Sequence, residues 1–144
     1  MTYHDFLAAK RAKAPAVGVS VDAEDLHPSL YDWQAEIVTW AASVGRAAIW
    51  ADTGLGKTRM QIEWARAVAE DGVALIVAPL AVCAQTVREA NAIDVPATYV
   101  RAGSEIAGPG LWVTNYEMVE HFDPATITAV VLDEASILKQ SAGK

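Results

Sequence analysis

The sequence has 144 residues, is 53% hydrophobic and 20% charged, and carries a formal net charge of −7 at neutral pH. That is enough chain for one hydrophobic core, and the acidic balance excludes a broad nonspecific nucleic-acid surface, so any such contact must be local. The single cysteine, Cys83, excludes an internal disulfide framework and reads as a small buried hydrophobe in a reducing compartment.

In chain order, residues 3–13 are compatible with a helix that Ala14-Pro15 ends, and Asp22 to Pro28 form a polar connector. A composition shift near residue 28 divides an N-terminal extension, 1–28, from the rest, 29–144. Leu30 to Val44 is expected to be a helix, with Trp33, Ile37, Trp40, Ala41 and Val44 on one face and Gly45 as its stop. Arg46 to Ala51 is a short apolar run and reads as a buried strand. A glycine loop follows, and then a helix over Arg59 to Glu70 with Met60, Trp64, Ala67 and Val68 on one face. Val73 to Ala78 is apolar at every position, as a strand covered on both faces of a parallel sheet would be. A helix over Ala81 to Ala92 sits behind Pro79. Strands are expected at 97–101, 111–114 and 129–133, with a short helix from Tyr116 to Phe122 between the last two. Strands alternating with helices imply an α/β fold with a mostly parallel sheet and helices on both faces. No apolar run reaches the roughly 18 residues a membrane span needs. The start Met1-Thr2-Tyr3-His4-Asp5 is no signal peptide, so a cytoplasmic protein without a membrane partner is expected.

The glycine loop is Ala51-Asp52-Thr53-Gly54-Leu55-Gly56-Lys57-Thr58. It departs from the phosphate-binding pattern G-x-x-x-x-G-K-[ST] only at its first position. Between a strand and a helix, the backbone amides of Gly54, Leu55, Gly56, Lys57 and Thr58 can converge on phosphate oxygens at a helix N-terminus. Lys57 would reach the β- and γ-phosphates of ATP, and the Thr58 hydroxyl would hold Mg²⁺.

The second signal is Val130-Val131-Leu132-Asp133-Glu134-Ala135-Ser136. It ends an apolar run in two acids, at the carboxyl end of a strand where open α/β sheets bind ligands. Asp133 can hold the same Mg²⁺ as Thr58, and Glu134 can take the proton of the attacking water. Asp133 and Glu134 alone would also fit a helix N-terminus; the phosphate loop upstream favours the metal reading.

These two segments resemble motifs I and II of superfamily-two helicase and translocase motors, nearest the Swi/Snf-like group and phage DEAD/DEAH-like helicases. In that family the first glycine of the loop is often alanine, as Ala51 is here. Alanine is tolerated where φ stays negative, whereas Gly54 and Gly56 stand where phosphates approach. Ser136 replaces the usual His or Asp of motif II. The resemblance implies a RecA-like P-loop NTPase domain for 29–144, incomplete at its C-terminal end.

The resemblance also assigns Leu30 to Gln34 to adenine recognition, with Gln34 on the base edge and Tyr31 or Trp33 near its face. It assigns Pro79, Leu80, Thr114, Asn115 and Tyr116 to the nucleic-acid backbone, DNA being favoured over RNA. Read without it, Gln34 is an ordinary helix residue, Tyr31 and Trp33 are core, and Thr114 with Asn115 is a helix cap. Relatives continue into a motif III strand, which lies between the motif I and motif II strands, and then into a second RecA-like domain with arginine fingers. The expectation is therefore the ATP-binding half of an ATP-dependent motor, with little turnover of its own. A P-loop ATPase of another class, such as a recombinase or packaging motor, and a non-catalytic nucleotide- or DNA-binding remnant stand as alternatives.

Overall fold

The computed structural model describes residues 2–10, 15–52 and 54–135. Its centre is a four-stranded, all-parallel sheet. In chain order the elements are α1 (Tyr3–Lys10), α2 (Asp32–Val44), α3 (Lys57–Ala69), β1 (Val73–Ala78), α4 (Leu80–Ala92), β2 (Ala97–Tyr99), β3 (Gly110–Asn115) and β4 (Ala129–Leu132). Across the sheet the strands run β2-β3-β1-β4. The expected α/β class with a parallel sheet is thus observed.

The uniform apolarity of β1 follows from its central place. Ala74, Ile76 and Ala78 face α3 and α4, where they pack with Ile62, Ala65, Cys83, Ala90 and Val113. Leu75 and Val77 point the other way, onto Val100 and Phe122 with Trp112, Tyr116 and Met118. That second face is therefore covered in part by the segment after β3, Tyr116–His121, which is a 3-10 helix rather than the α-helix expected there. Six residues are too few to sustain α-helical cooperativity, and the tighter i→i+3 turn satisfies a short connector.

Helix α3 has two buried sides, because α2 lies on it from outside. Met60 meets Leu26, Leu30 and Val38 on the α2 side, while Ile62, Ala65 and Ala69 meet the sheet. Of the expected stripe, Met60 and Ala67 face α2, Val68 faces the sheet, and Trp64 touches both sides. On α2 the buried positions are Gln34, Val38, Ala41 and Ala42, so the stripe is rotated from the expected one. Trp33 and Trp40 are 41% and 51% exposed. The space on the buried side of α2 is taken by Leu26, Leu30 and Met60 with Trp64, around Val38.

Residues 17–27 are built onto this helical layer. The N–H groups of Val17, Gly18 and Val19 donate to the carbonyls of Val44, Ser43 and Ala42, which satisfies the otherwise open end of α2. Only glycine fits at position 18, since a Cβ there would stand 1.8 Å from the Ala42 oxygen. Leu26 enters the core beside Leu30. Deeper still, Glu63 of α3 is fully buried and forms a two-pronged ion pair with Arg66 at 2.9 and 2.7 Å. Glu63 also accepts the His27 N–H at 2.8 Å, and Arg66 donates to the Asp25 carbonyl at 2.9 Å, so the pair ties the connector to α3.

One expected strand is not formed. Arg46 to Ala51 is irregular and takes no part in the sheet, with Ile49 36% and Trp50 90% exposed. A strand exists only through its ladder. The ladder of β4 lies on the β1 side, and among the described residues no strand stands on its other side. The position expected for a strand between residues 46–51 and β4 is thus without a strand among the described residues, and the apolar run has no backbone to pair with.

Candidate functional site

The site is built where the carboxyl end of the sheet meets the N-termini of two helices. Helix α3 ends at Ala69 and turns directly into β1, so its N-terminus lies at the far, carboxyl end of the strands; α4 starts there too, just after β1. The glycine loop leads into α3 through Gly54 and Gly56, at φ +86° and +75°. Both values belong to glycine. A Cβ at Gly54 would meet nothing within 4 Å, whereas one at Gly56 would stand 2.4 Å from Nε2 of Gln34. Ala51 keeps φ out of the positive range, as the substitution at the loop's first position requires. Thr53 lies outside the described residues.

Gly56 is the N-cap of α3, and no side chain caps it. The first-turn amides, those of Lys57 and Thr58 among them, therefore have no side-chain cap to satisfy them, the arrangement that suits an anion. Leu55 is exposed, and Lys57 and Thr58 are half-buried.

Gln34 holds this loop. Its Oε1 accepts the Tyr31 N–H at 2.9 Å and its Nε2 donates to the Leu55 carbonyl at 2.9 Å. With 4% exposure it is a strut between α2 and the loop, and one amide hydrogen remains beyond the Leu55 bond. Tyr31 and Trp33 are exposed beside it and stack, with centroids 6.5 Å apart and planes at 11°. Together with Ser29, Gly54, Gly56 and Arg59 they line a cleft of about 290 Å³. A larger cleft of about 340 Å³ opens at the amino ends of the strands, beside Val95, Pro96 and Trp112. In open α/β sheets it is the carboxyl end that takes ligands, so the smaller cleft is the one joined to the loop.

Asp133 follows β4. Its N–H extends the ladder to the Val77 carbonyl at 2.8 Å, its own carbonyl accepts the Tyr116 hydroxyl, and its Oδ1 accepts Nε2 of Gln61 at 3.0 Å. Gln61 lies three residues after Thr58 on α3, so the Asp133 carboxylate and the helix that follows the glycine loop are joined directly. Glu134 is exposed and has a φ of +54°, a left-handed backbone that an L-residue adopts only at a cost. That turn redirects the chain immediately after Asp133. Burial first, then the Asp133 and Glu134 charges, push the Tyr116 phenol above its ordinary range. Ser136 lies outside the described residues.

The remaining expected contacts are distributed unevenly. Leu80 is 62% exposed at the start of α4, and Pro79 and Tyr116 are half-buried. Thr114 and Asn115 are buried at 0% and 3% exposure. Asn115 accepts the Tyr99 hydroxyl and donates to Glu117, a bond that also holds the Glu117 carboxyl below its usual range. The Thr114 hydroxyl is buried without a partner, and its carbonyl faces the Cys83 thiol at 3.4 Å. Cys83 is buried as expected, and burial, reinforced by Glu117 and Asp133, pushes its thiol up.

Three groups escape a reading of the sequence alone: Gln61, the Glu63–Arg66 pair and Tyr99. Gln61 and the Glu63–Arg66 pair each carried a signal, a three-residue helical spacing (from Thr58, and between opposite charges), while Tyr99 carried none. Among the described residues no group of three or more His, Cys, Asp or Glu stands together, and no helix is long and apolar enough to cross a membrane. No protein-family model and no curated protein matches this chain.

Proposed function

We propose that the chain is the ATP-binding half of an ATP-dependent DNA helicase or translocase motor. The observation that carries the reading is the joining of Asp133 to α3, the helix the glycine loop leads into, through the 3.0 Å bond from Gln61. The residues fit Mg-ATP on their own chemistry. Gly54 leaves open space where a phosphate would approach, α3 offers uncapped amides, and Thr58 and Asp133 are hard oxygen donors. A Mg²⁺ shared with phosphates needs only one or two protein carboxylates.

In this reading the amides of Gly54 to Thr58 and the Lys57 ammonium hold the phosphates, and Thr58 with Asp133 holds Mg²⁺. When bound, Mg²⁺ neutralises charge on the β- and γ-phosphate oxygens. Glu134 takes the proton of the attacking water. Tyr31 and Trp33 give the adenine an aromatic surface, and Gln34 sets the height of the loop beneath it. Turnover depends on groups from a second RecA-like domain, arginine fingers being worth about 10³–10⁵ in rate. DNA would be met by Pro79, Leu80 and Tyr116, with Thr114 and Asn115 behind them.

One observation favours a second reading. Thr114 and Asn115 are buried, and Asn115 is engaged on both sides of its amide. A P-loop ATPase of another class would keep the nucleotide site and not need these residues to touch DNA. Paired variants in the full-length motor test the first reading. Glu134→Gln should keep Mg-ATP affinity and lower DNA-stimulated hydrolysis by at least ~10²-fold, the contribution of a positioned base. Asp133→Asn should weaken Mg-ATP binding as well. Parental turnover in Glu134→Gln would remove Glu134 from the mechanism, and ATP turnover indifferent to DNA would favour the second reading.

A further inference from the structure

We infer that Gln61 is a positioning residue for the metal carboxylate: it fixes one oxygen of Asp133 so that the other faces the metal shared with Thr58. The inference rests on the nucleotide reading above and assigns a residue to which neither the loop pattern nor the acidic pair points.

The geometry is specific. The backbone of Asp133 is pinned twice, by its N–H to Val77 and by its carbonyl under the Tyr116 hydroxyl. That leaves the carboxylate's own rotation as the remaining freedom. Gln61 removes it by donating from Nε2 to Oδ1 at 3.0 Å. The donor is a neutral amide, so it orients the carboxylate without competing for the metal's charge, as a lysine or arginine in its place would. Gln61 and Thr58 are three residues apart, on the same face of α3. The helix that presents the hydroxyl to the metal therefore also sets the carboxylate opposite it. An outer-shell partner of this kind usually affects metal affinity about 10–100-fold.

The test separates the metal-dependent and metal-free parts of nucleotide binding in the 144-residue chain. ATP affinity is measured for parent and Gln61→Met, first in chelator and then across a Mg²⁺ titration. Methionine keeps the length and apolar contacts of the side chain and lacks the donor. The expected result is unchanged metal-free affinity, with the Mg²⁺ concentration for half-maximal tight binding raised about tenfold. A role confined to holding α3 on β4 would instead lower both affinities together, and that result overturns the inference. So does a Gln61→Met chain with the parental Mg²⁺ dependence. A folded parent that binds no Mg-ATP overturns the nucleotide reading and this inference with it, so the two failures are told apart by the parent alone.

Discussion

Gly56 shows how much one residue of the loop must do. Its φ of +75° is left-handed, and the space where a Cβ would go is filled by Nε2 of Gln34. Gly56→Ala is therefore expected to cost about 1–2 kcal/mol for the backbone alone, and to push Gln34 off the Leu55 carbonyl. Chemical denaturation and ATP binding together check this. The expected outcome is a modest loss of stability with a larger loss of affinity; a variant with parental affinity would show that Gln34 does not set the loop. The residues that the proposed site uses were legible in the sequence, because phosphate and metal chemistry would demand Gly, Lys, Thr, Asp and Glu in this pattern. The role of Gln34 was not. An amide inside a helix carries no sign of what lies across from it, and its partner here is a backbone carbonyl, which has no identity in the sequence.

At the scale of elements, β1 and β3 could be read from apolar runs because burial on both faces leaves that pattern, and β4 from an equally apolar run of which only Ala129 is buried. The run at 46–51 carries the same pattern and forms no strand, since apolarity supplies the faces of a strand but not its neighbour. Helix α3 illustrates the opposite difficulty. Glu63 looks like a solvent-facing acid between Ile62 and Trp64, yet it is fully buried and held by Arg66 and the His27 amide. Arg66→Met would keep the apolar stem and leave that carboxylate without its cation. The expected loss is about 2–3 kcal/mol, below the range for a fully buried pair because the Arg66 side chain is 40% exposed. Urea unfolding of the two chains measures it, and faster proteolysis within 15–28 in the variant would report the loosened connector. A change under half a kilocalorie would mean that the pair stabilises no more than a surface contact does.

For the whole molecule, no strand among the described residues pairs with the outer edge of β4. On the face of β4 opposite Ala129 and Val131, Val130 and Leu132 are each 47% exposed, and Trp50 is almost wholly exposed on the irregular run. An open parallel edge with apolar side chains is a template for further pairing. The purified chain is expected to self-associate, with a mean mass in sedimentation that rises with concentration, and Leu132→Lys should reduce the effect. A concentration-independent monomer with one cooperative unfolding transition would show that this edge is satisfied. The net charge of −7 does not prevent pairing, because none of the charge sits on the four residues of β4 itself.

All of these scales meet in one claim, that the loop from Gly54 to Thr58 binds the phosphates of ATP. The most direct measurement is the affinity of the chain for Mg-ATP before and after Lys57→Ala, with circular dichroism to show that both are folded. Lys57 is half-buried beside the uncapped turn of α3, and its ammonium is the only full positive charge the loop itself carries. Removing a charge-assisted bond to phosphate costs about 1.5–3 kcal/mol, so affinity should fall by roughly 10–100-fold. Equal affinity in the two folded chains would contradict the assignment of the loop, and the motor reading with it.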